Sequence, residues 1–429
     1  MSSCYIFIDP NARWLQPAAK LARQGNTVVA VLIDIYDGLL RGWRDVTEDI
    51  YIIQDFEEES LIEQIRVVAG RYSKPVVFCE TDRYMIAVAK ACDRMKIRFP
   101  SLDGTISARN KALTREATSK NRGFRFRHAP SLDDLRLAAE DVGYPCIIKP
   151  AAGAGSCLAY PIYNKSHVSW YLDEAGRSLS KIAPKQRWFV DSGWLCETLV
   201  SGPMVTVFIA ADGRDIKAFA LARNLRQTLS ECVGFGSITP ALNGVKADSI
   251  FKFAEASCQK LNLRLGVFDV EIIIGSHGLV LVEVNPRPPG GEMLTALSAS
   301  SDRDIFEYIL NIYSGSALAS NPPRFTREVL IWKLMAAESG ALRLPLACAL
   351  KQVLPNGLEY IYRSTREEQF VHQLDCLARV IIPTDDAVKM FNAVSNLTPQ
   401  MSEVLGVQLL SGELPLLPDS YMCSNEITR

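Results

Sequence analysis

Three side chains in the run LVLVEVNPRPPGGEML, residues 279–294, are of the types that bind a metal and an anion together. Glu283, Asn285 and Arg287 stand at every second position of an apolar stretch, the period that places residues on one face of a strand. Upstream, GVFDVEIIIGSHG reads as its hairpin partner. With Ser276-His277-Gly278 as a three-residue loop and Gly278 left-handed, 275 pairs with 279, 273 with 281, and 271 with 283. Glu271 and Glu283 then become cross-strand neighbours, with β-carbons about 5 Å apart. Carboxylates that close repel unless a cation lies between them. With the amide oxygen of Asn285 they make a hard, all-oxygen site suited to Mg²⁺, which draws the rest of its shell from water and substrate phosphates. Mn²⁺ is the alternative ion.

The same segment carries the anion side of that chemistry. Arg287 continues the face, and a guanidinium beside a metal balances charge on a phosphate or acyl phosphate. Pro288 and Pro289 break the strand, and the amides of Gly290 and Gly291, ahead of the helix expected at EMLTALSAS, can hold a carboxylate. Farther upstream, Lys149 closes the strand CIIK beside a loop whose amides at Gly153, Ala154, Gly155 and Ser156 can cradle phosphates. The loop is not the GxxxxGK[ST] phosphate loop. Lys111 and Arg115 share one helix face, Glu197 ends the strand WLCET, and Arg226 in LARNLRQ is a candidate partner for a substrate carboxylate. Taken alone, Lys111, Arg115 and Glu197 read more readily as solvated surface charges, and Arg226 equally well as one.

These residues need strands and helices to hold them. Residues 1–100 alternate apolar runs (CYIFID, TVVAVLID, Asp49 to Ile53, PVVFC) with helical segments, which predicts a small α/β unit with a mostly parallel sheet and no GxGxxG turn. A short strand is expected at IRF, one basic helix over ISARNKALTREATSK, a helix at SLDDLRLAAEDVG and strands at CIIKP, RWFVDSG, WLCETLV, PMVTVFIAADG and IKAFALAR. Asp212-Gly213 marks a hairpin turn, SECVGFGSITP reads as a flexible loop, and DSIFKFAEASCQKLN as the helix before the acidic hairpin. Beyond residue 321 a further α/β unit is expected, with strands at LEYIY and CLARVIIP and a helix at DDAVKMFNAVSNL.

Composition narrows the function classes. The chain has 429 residues, 47 basic and 48 acidic side chains and a net charge of −1, which gives no sign of a nucleic-acid or other polyanion partner. No stretch is long and apolar enough to suggest a membrane span, and the start MSSCYIFID lacks a basic segment before its apolar run, so a cytoplasmic location is expected. Eleven scattered cysteines without a CxxC fit reduced thiols. The four histidines, His128, His167, His277 and His372, are too dispersed to suggest zinc.

In this order, Lys111, Lys149, the loop Gly153 to Gly155, Glu197, Glu271 and the triplet Glu283-Val284-Asn285 twelve residues later resemble the ATP-grasp superfamily. The specific parts are the twelve-residue gap and EVNPR; the resemblance covers about residues 101–305. It implies an α/β (α+β) ATP-grasp fold: an N-terminal α/β domain at 1–100, a small subdomain with the glycine loop at 101–187, a large subdomain with the metal site at 188–320 and a C-terminal α/β domain at 321–429. It implies ATP and Mg²⁺. Lys111, Lys149 and the loop Gly153, Ala154, Gly155 and Ser156 would hold phosphates. Glu197 and the backbone of Leu199 would read adenine. Glu271, Glu283 and Asn285 would take the metal, and Arg287 would stabilise an acyl phosphate. Lys149 and Arg287 are thus the expected catalytic residues, and Arg226, Arg287, Gly290 and Gly291 the substrate-binding ones.

The sequence is most similar to amino-acid and dipeptide ligases within that superfamily. Such enzymes join a carboxylate to an amine through an acyl phosphate, with small-molecule partners and neither membrane nor nucleic acid. Biotin-carboxylase-like and purine-pathway ligases share the core and are the alternative. Dimers are common in these folds, although no exposed apolar helix forces one here. Two departures stand out. Met204 follows Gly202-Pro203 where the family often has an acid that meets the ribose, and the glycine loop carries Ala154 and Cys157.

Overall fold

The computed structural model describes residues 2–422 apart from 34–36, 55, 119–122, 154, 184–185, 227–231, 233, 319–321, 365–369 and 413. The first apolar runs form strands β1 (Cys4–Ile8), β2 (Thr27–Ile33), β3 (Asp49–Ile53) and β4 (Pro75–Cys79), all parallel in the order β3-β2-β1-β4. Helices Leu15–Arg23, Asp37–Arg44 and Glu58–Ala69 connect them, and Met85–Met95 follows β4. The central strands are buried on both faces, which is why they are apolar throughout and do not alternate. The strand expected at IRF is absent. Lys96 caps the preceding helix with φ +56°, and the chain turns away from the sheet.

The expected basic helix is two helices, Leu102–Arg109 and Lys111–Thr118. Asn110 between them is extended, and its Oδ1 accepts from the amide of Ala112 at 2.9 Å. Asparagine competes with the helix for backbone donors, so the break falls there. The consequence is positional: Lys111 opens a new helix, and its own amide donates to Ala151 O at 2.8 Å, beside the glycine loop.

A second, four-stranded sheet contains β5 (Phe126–Ala129), β6 (Cys146–Pro150), β7 (Tyr160–Ile162) and β8 (Trp194–Thr198), in the order β5-β8-β6-β7. The run RWFVDSG is not a strand there. Trp188–Val190 is a 3-10 turn whose aromatic side chains pack beneath this sheet, so its apolar character reflects core packing.

The third sheet has eight strands. They are β9 (Met204–Asp212), β10 (Ile216–Arg226), β11 (Gly234–Ile238), β12 (Leu265–Gly275), β13 (Gly278–Asn285) and β14 (Glu328–Met335), with Ile361–Ser364 and Cys376–Thr384 at the far end. The order runs β13-β12-β9-β10-β11-β14 and then Cys376–Thr384 and Ile361–Ser364. Strand β11 lies inside the segment read as a loop, because Phe235 and Ile238 supply buried core; residues 230, 231 and 233 of that segment fall outside the description. The strand expected at LEYIY begins only at Ile361. Strands past residue 321 extend the same sheet that carries the acidic hairpin.

One face of this sheet packs on the helix Asp248–Lys260 through Phe268, Val270, Ile272 and Ile274 of β12. By the period of two, Asp269, Glu271 and Ile273 point to the other face. On that face Phe208, Ala210, Ala222 and Val267 join the core of the first sheet, while the end nearer β8 opens into a cleft.

Candidate active site

The hairpin brings Glu271 opposite Glu283, by a different route from the one the alternation suggests. Gly275 pairs with Gly278, so the loop is the two residues Ser276 and His277, with Gly278 at φ +112°. That register, continued, would pair Glu271 with Val282. A bulge intervenes: Ile272 pairs with Leu281, and Glu271 with Glu283. Leu279 and Leu281 pack with the helix core, and so does Val284 beyond the bulge. The extra residue therefore switches the parity of β13, turns Glu283 to the cleft and puts Asn285 on the same face of the strand. The bulge is held from outside, since Arg115 Nη2 donates to Val282 O at 2.7 Å.

Burial and the facing Glu283 push the Glu271 carboxyl up to about 8. Burial acts on Glu283 in the same direction but is outweighed by the Lys111 ammonium, 2.6 Å away, which holds that carboxyl at about 2. Asn285 uses Nδ2 to donate to Asp269 Oδ1, and at 3.4 Å to Glu283 Oε1, which leaves its amide oxygen for a cation. Among the described residues no three His, Cys, Asp or Glu side chains gather as a metal site; the set here is two carboxylates and an amide. Two partly buried acids, with Lys111 paired to Glu283, fit a hard divalent ion, which would relieve the repulsion that adds to burial in raising Glu271.

Above this rung lies a cleft of about 570 Å³, a volume suited to a nucleotide-sized ligand. Its apolar end includes Phe124, Ile147, Val200, Met204, Ile273 and Leu281. Lys111, Lys149, Gly153, Gly155, Ser156, Glu197, Leu199, Arg226, Glu271 and Glu283 also line it. Lys111 Nζ donates to Gly153 O at 2.6 Å, tying the glycine loop to the Glu271–Glu283 rung. Gly155, Ser156 and Leu158 all have positive φ, so the loop curls with successive left-handed residues. Ala154 lies outside the described residues.

Glu197, which the resemblance assigns to the adenine, lines the cleft and is paired with two cations. It is buried, and its oxygens accept from Arg115 Nε at 2.8 Å, Arg115 Nη2 at 3.2 Å and Lys149 Nζ. Burial alone would raise its carboxyl, but the two cations hold it below the usual range. Burial also lowers the Lys149 ammonium. A buried acid needs such partners, so Glu197 fixes Lys149 and Arg115 in place. The Leu199 amide donates to Pro145 O at 3.2 Å, which leaves the Leu199 carbonyl for a base amine.

Residues 108–291 match the family model of the ATP-grasp domain. These residues form an ATP-grasp domain. The chain is 28% identical over 275 residues to alanine–anticapsin ligase of Bacillus amyloliquefaciens, covering 60% of this chain and 58% of that protein. It is 23% identical over 266 residues to the formate-dependent phosphoribosylglycinamide formyltransferase of Wolinella succinogenes, covering 58% and 61%. The chain thus spans about three-fifths of the length of these curated relatives. Among solved structures, L-amino acid ligase from Bacillus licheniformis superposes with a TM-score of 0.76 at 13% identity, over 96% of this chain and 99% of that one. The fold is therefore the ATP-grasp fold.

The remaining expected residues of the grasp sit just outside the cleft. Arg287 donates through Nε at 3.0 Å and Nη2 at 2.9 Å to the two oxygens of Asp82, and through Nη1 to Asp269 Oδ2 at 3.1 Å and Pro288 O at 3.0 Å. Four of its five N–H groups are thereby used, so Arg287 bridges Asp82 and Asp269 with one N–H to spare. Gly291 has φ +61°, and its carbonyl accepts from Arg13 Nη1 at 2.6 Å, with Arg13 itself held by Glu80. Gly290 lies beside Arg287.

Sequence reasoning missed Asp82, Asp269, Arg109 and Lys333. Asp82 follows β4 and joins Arg109, at 2.9 Å, to Arg287. Burial would raise its carboxyl, but the two guanidiniums hold it below the usual range. Asp269 was legible, since it precedes Glu271 by two in GVFDVE. Nothing local in the sequence marks Asp82 or Lys333, which reach the site through tertiary packing.

Proposed function

We propose that this chain is an ATP- and Mg²⁺-dependent ligase that joins the carboxylate of one amino acid to the amine of another through an acyl phosphate, releasing ADP and phosphate. The observation that carries this reading is the Glu271–Glu283 rung at the foot of a cleft that also holds Lys111, Lys149 and an apolar slot. Glu271, Glu283 and the Asn285 oxygen would hold Mg²⁺, which when bound screens charge on the β- and γ-phosphates. Lys111 and Lys149 meet the same phosphates, and the amides of Gly153, Gly155 and Ser156 close over them.

A carboxylate oxygen of the donor attacks the γ-phosphorus, the bond to the bridging oxygen breaks, and ADP leaves. The amine nitrogen then attacks the acyl carbon, and phosphate departs with one oxygen of the original carboxylate. An acyl phosphate is destroyed by water, which gives the loop at 151–158 a purpose as a cover. The relatives named as alanine–anticapsin and L-amino acid ligases support an amino-acid substrate pair. The formyltransferase relative supports a second reading, with formate or a purine intermediate as substrate.

Phosphate release from ATP and Mg²⁺, measured with amino acids singly and in pairs and followed by mass spectrometry, separates these readings. The proposal expects pair-dependent phosphate and a product whose mass is the sum of both amino acids less water. Turnover only with formate and an aminoribonucleotide would replace it with the second reading.

A further inference from the structure

The register of the large sheet lays out the cleft floor as a ladder along β12. Glu271 has Glu283 beside it on β13 and Thr206 on β9. The next residue on that face, Ile273, has Val280 on β13 and Met204 on β9, and all three line the cleft. Gly275 comes next, and the segment that follows β8 lies against it: a Cβ on Gly275 would stand 2.9 Å from Val200 Cγ1. The apolar end of the cleft, at Val200, and the phosphate end, at Glu271, are thus four residues apart on β12, about 13 Å. In a nucleoside triphosphate the sugar joins base to phosphate, so it lies over the rung of Ile273, Met204 and Val280.

That rung is apolar from end to end. On one side β13 is the edge of the sheet. On the other, the first polar side chain is Asn224 of β10, which follows Arg223, the partner of Val205. It lies two strands from β12, about 10 Å, and its Nδ2 donates to Thr206 Oγ1 at 3.0 Å. The opposite wall, built from β6, β7 and β8, has its polar groups engaged among the described residues. Glu197 is held by Arg115 and Lys149, Thr198 Oγ1 accepts from the Arg125 amide at 2.9 Å, and Tyr160 packs its ring on Trp170 and Tyr171. A site that bonds a substrate hydroxyl rejects the analogue without it by about 10⁴-fold or more, because a buried partner is left unpaired. An apolar floor has no partner to leave unpaired.

We propose that the cleft does not read the 2′-hydroxyl of its nucleotide, so that 2′-deoxy-ATP serves as well as ATP, and that Met204 is the residue that sets this indifference. This rests on the ATP reading of the cleft given above and goes beyond it by naming the class of nucleotide taken, ribo and deoxyribo alike. Met204 is the unbranched, adaptable member of the rung, and it stands between Ile273 and the first polar side chain. A polar side chain of similar length at that position would give the sugar a partner.

Calorimetry on the full-length protein with Mg²⁺ compares ADP with 2′-deoxy-ADP, and it needs no knowledge of the ligase substrates. Wild type is expected to bind the two with Kd values within threefold of each other. M204Q is expected to bind ADP at least fivefold more tightly than 2′-deoxy-ADP, and M204L to keep the two within threefold. The ratio of the two affinities in one variant cancels any general loosening of the cleft, which a purely structural role for Met204 would produce. A wild-type preference for ADP of more than threefold overturns the proposal. Wild-type parity with an unmoved ratio in M204Q overturns the assignment to Met204. If wild type binds ADP and refuses 2′-deoxy-ADP, the sugar proposal alone fails. If it binds neither, the ATP reading of the cleft fails and the proposal falls with it.

Discussion

Two rungs of one hairpin, side by side, handle their charges in opposite ways. At Glu271 and Glu283 two carboxylates face each other, Lys111 is the cation in ion-pair contact among the described residues, and burial with mutual repulsion lifts Glu271 to about 8. At Asp269 and Asn285, the next rung, an acid faces an amide, and Arg287 closes the arrangement by reaching both Asp269 and Asp82, which in turn holds Arg109. The second group is two acids and two guanidiniums, balanced within the protein. The first is short of positive charge. A buried cluster that satisfies itself serves as a joint, and one that does not is built for a ligand. Here the joint ties the first sheet, through Asp82, to the strand pair that bears Glu271 and Glu283.

The largest test of that contrast removes one acid from the unbalanced rung. Glu283→Gln or Glu271→Gln should lower ATP-dependent phosphate release by about 10²–10³-fold or more, the scale of losing a group that stabilises transition-state charge. In the absence of Mg²⁺, Glu271→Gln should leave Tm unchanged or slightly raised at neutral pH, because a carboxyl pushed up to about 8 is already largely protonated and the amide has the same shape. A fall of many degrees in Tm would place Glu271 among the structural acids.

The balanced rung should respond the other way. Asp82→Asn leaves Arg109 and Arg287 facing each other, and unfolding stability should fall by on the order of 2–4 kcal/mol, somewhat below the cost of breaking a fully buried pair. The sign of its pH dependence follows from the depressed carboxyl. With the folded value below the ordinary 3.8, the Asp82 contribution is full above that pH and is lost as pH falls through the lowered value. Denaturation at pH 7 and pH 3 should therefore show the gap between wild type and Asp82→Asn closing on acidification.

Arg115→Met tests whether the two rungs are held in common. It removes a partner of Glu197 and the donor to the bulge carbonyl Val282 O. A stability loss of about 3 kcal/mol is expected, with weaker Mg²⁺ binding by calorimetry because Glu283 is no longer aimed. The smallest effect belongs to Lys20, whose partners Asp304 and Glu307 are well exposed. Lys20→Met should change stability by under about 1 kcal/mol, and it serves as the surface control.

The acidic pair was readable in the sequence, although the path to it was not. Uninterrupted alternation pairs Glu271 with Glu283 through a three-residue loop; the protein uses a two-residue loop and a bulge at Val282. Both routes give the same pair, because one fewer loop residue is offset by one extra strand residue. A bulge leaves little trace in a run such as LVLVEV, where both faces are apolar. The parallel first sheet was legible because its strands are apolar throughout, whereas RWFVDSG misled because buried aromatics in a turn imitate a strand. Asn110 is a weak helix former in the middle of a basic run, and that signal could have divided the helix. Asp82 and Lys333 were beyond local reading, since each acquires its role from a residue on another strand or sheet.

The most direct test of the central claim follows oxygen. A mixture of the twenty amino acids labelled with ¹⁸O in their carboxylates is turned over with ATP and Mg²⁺, and the released phosphate is analysed by mass spectrometry. Ligation through an acyl phosphate predicts one ¹⁸O per phosphate, together with ADP and an amide product. Unlabelled phosphate alongside amide formation, or release of AMP and pyrophosphate, would contradict it.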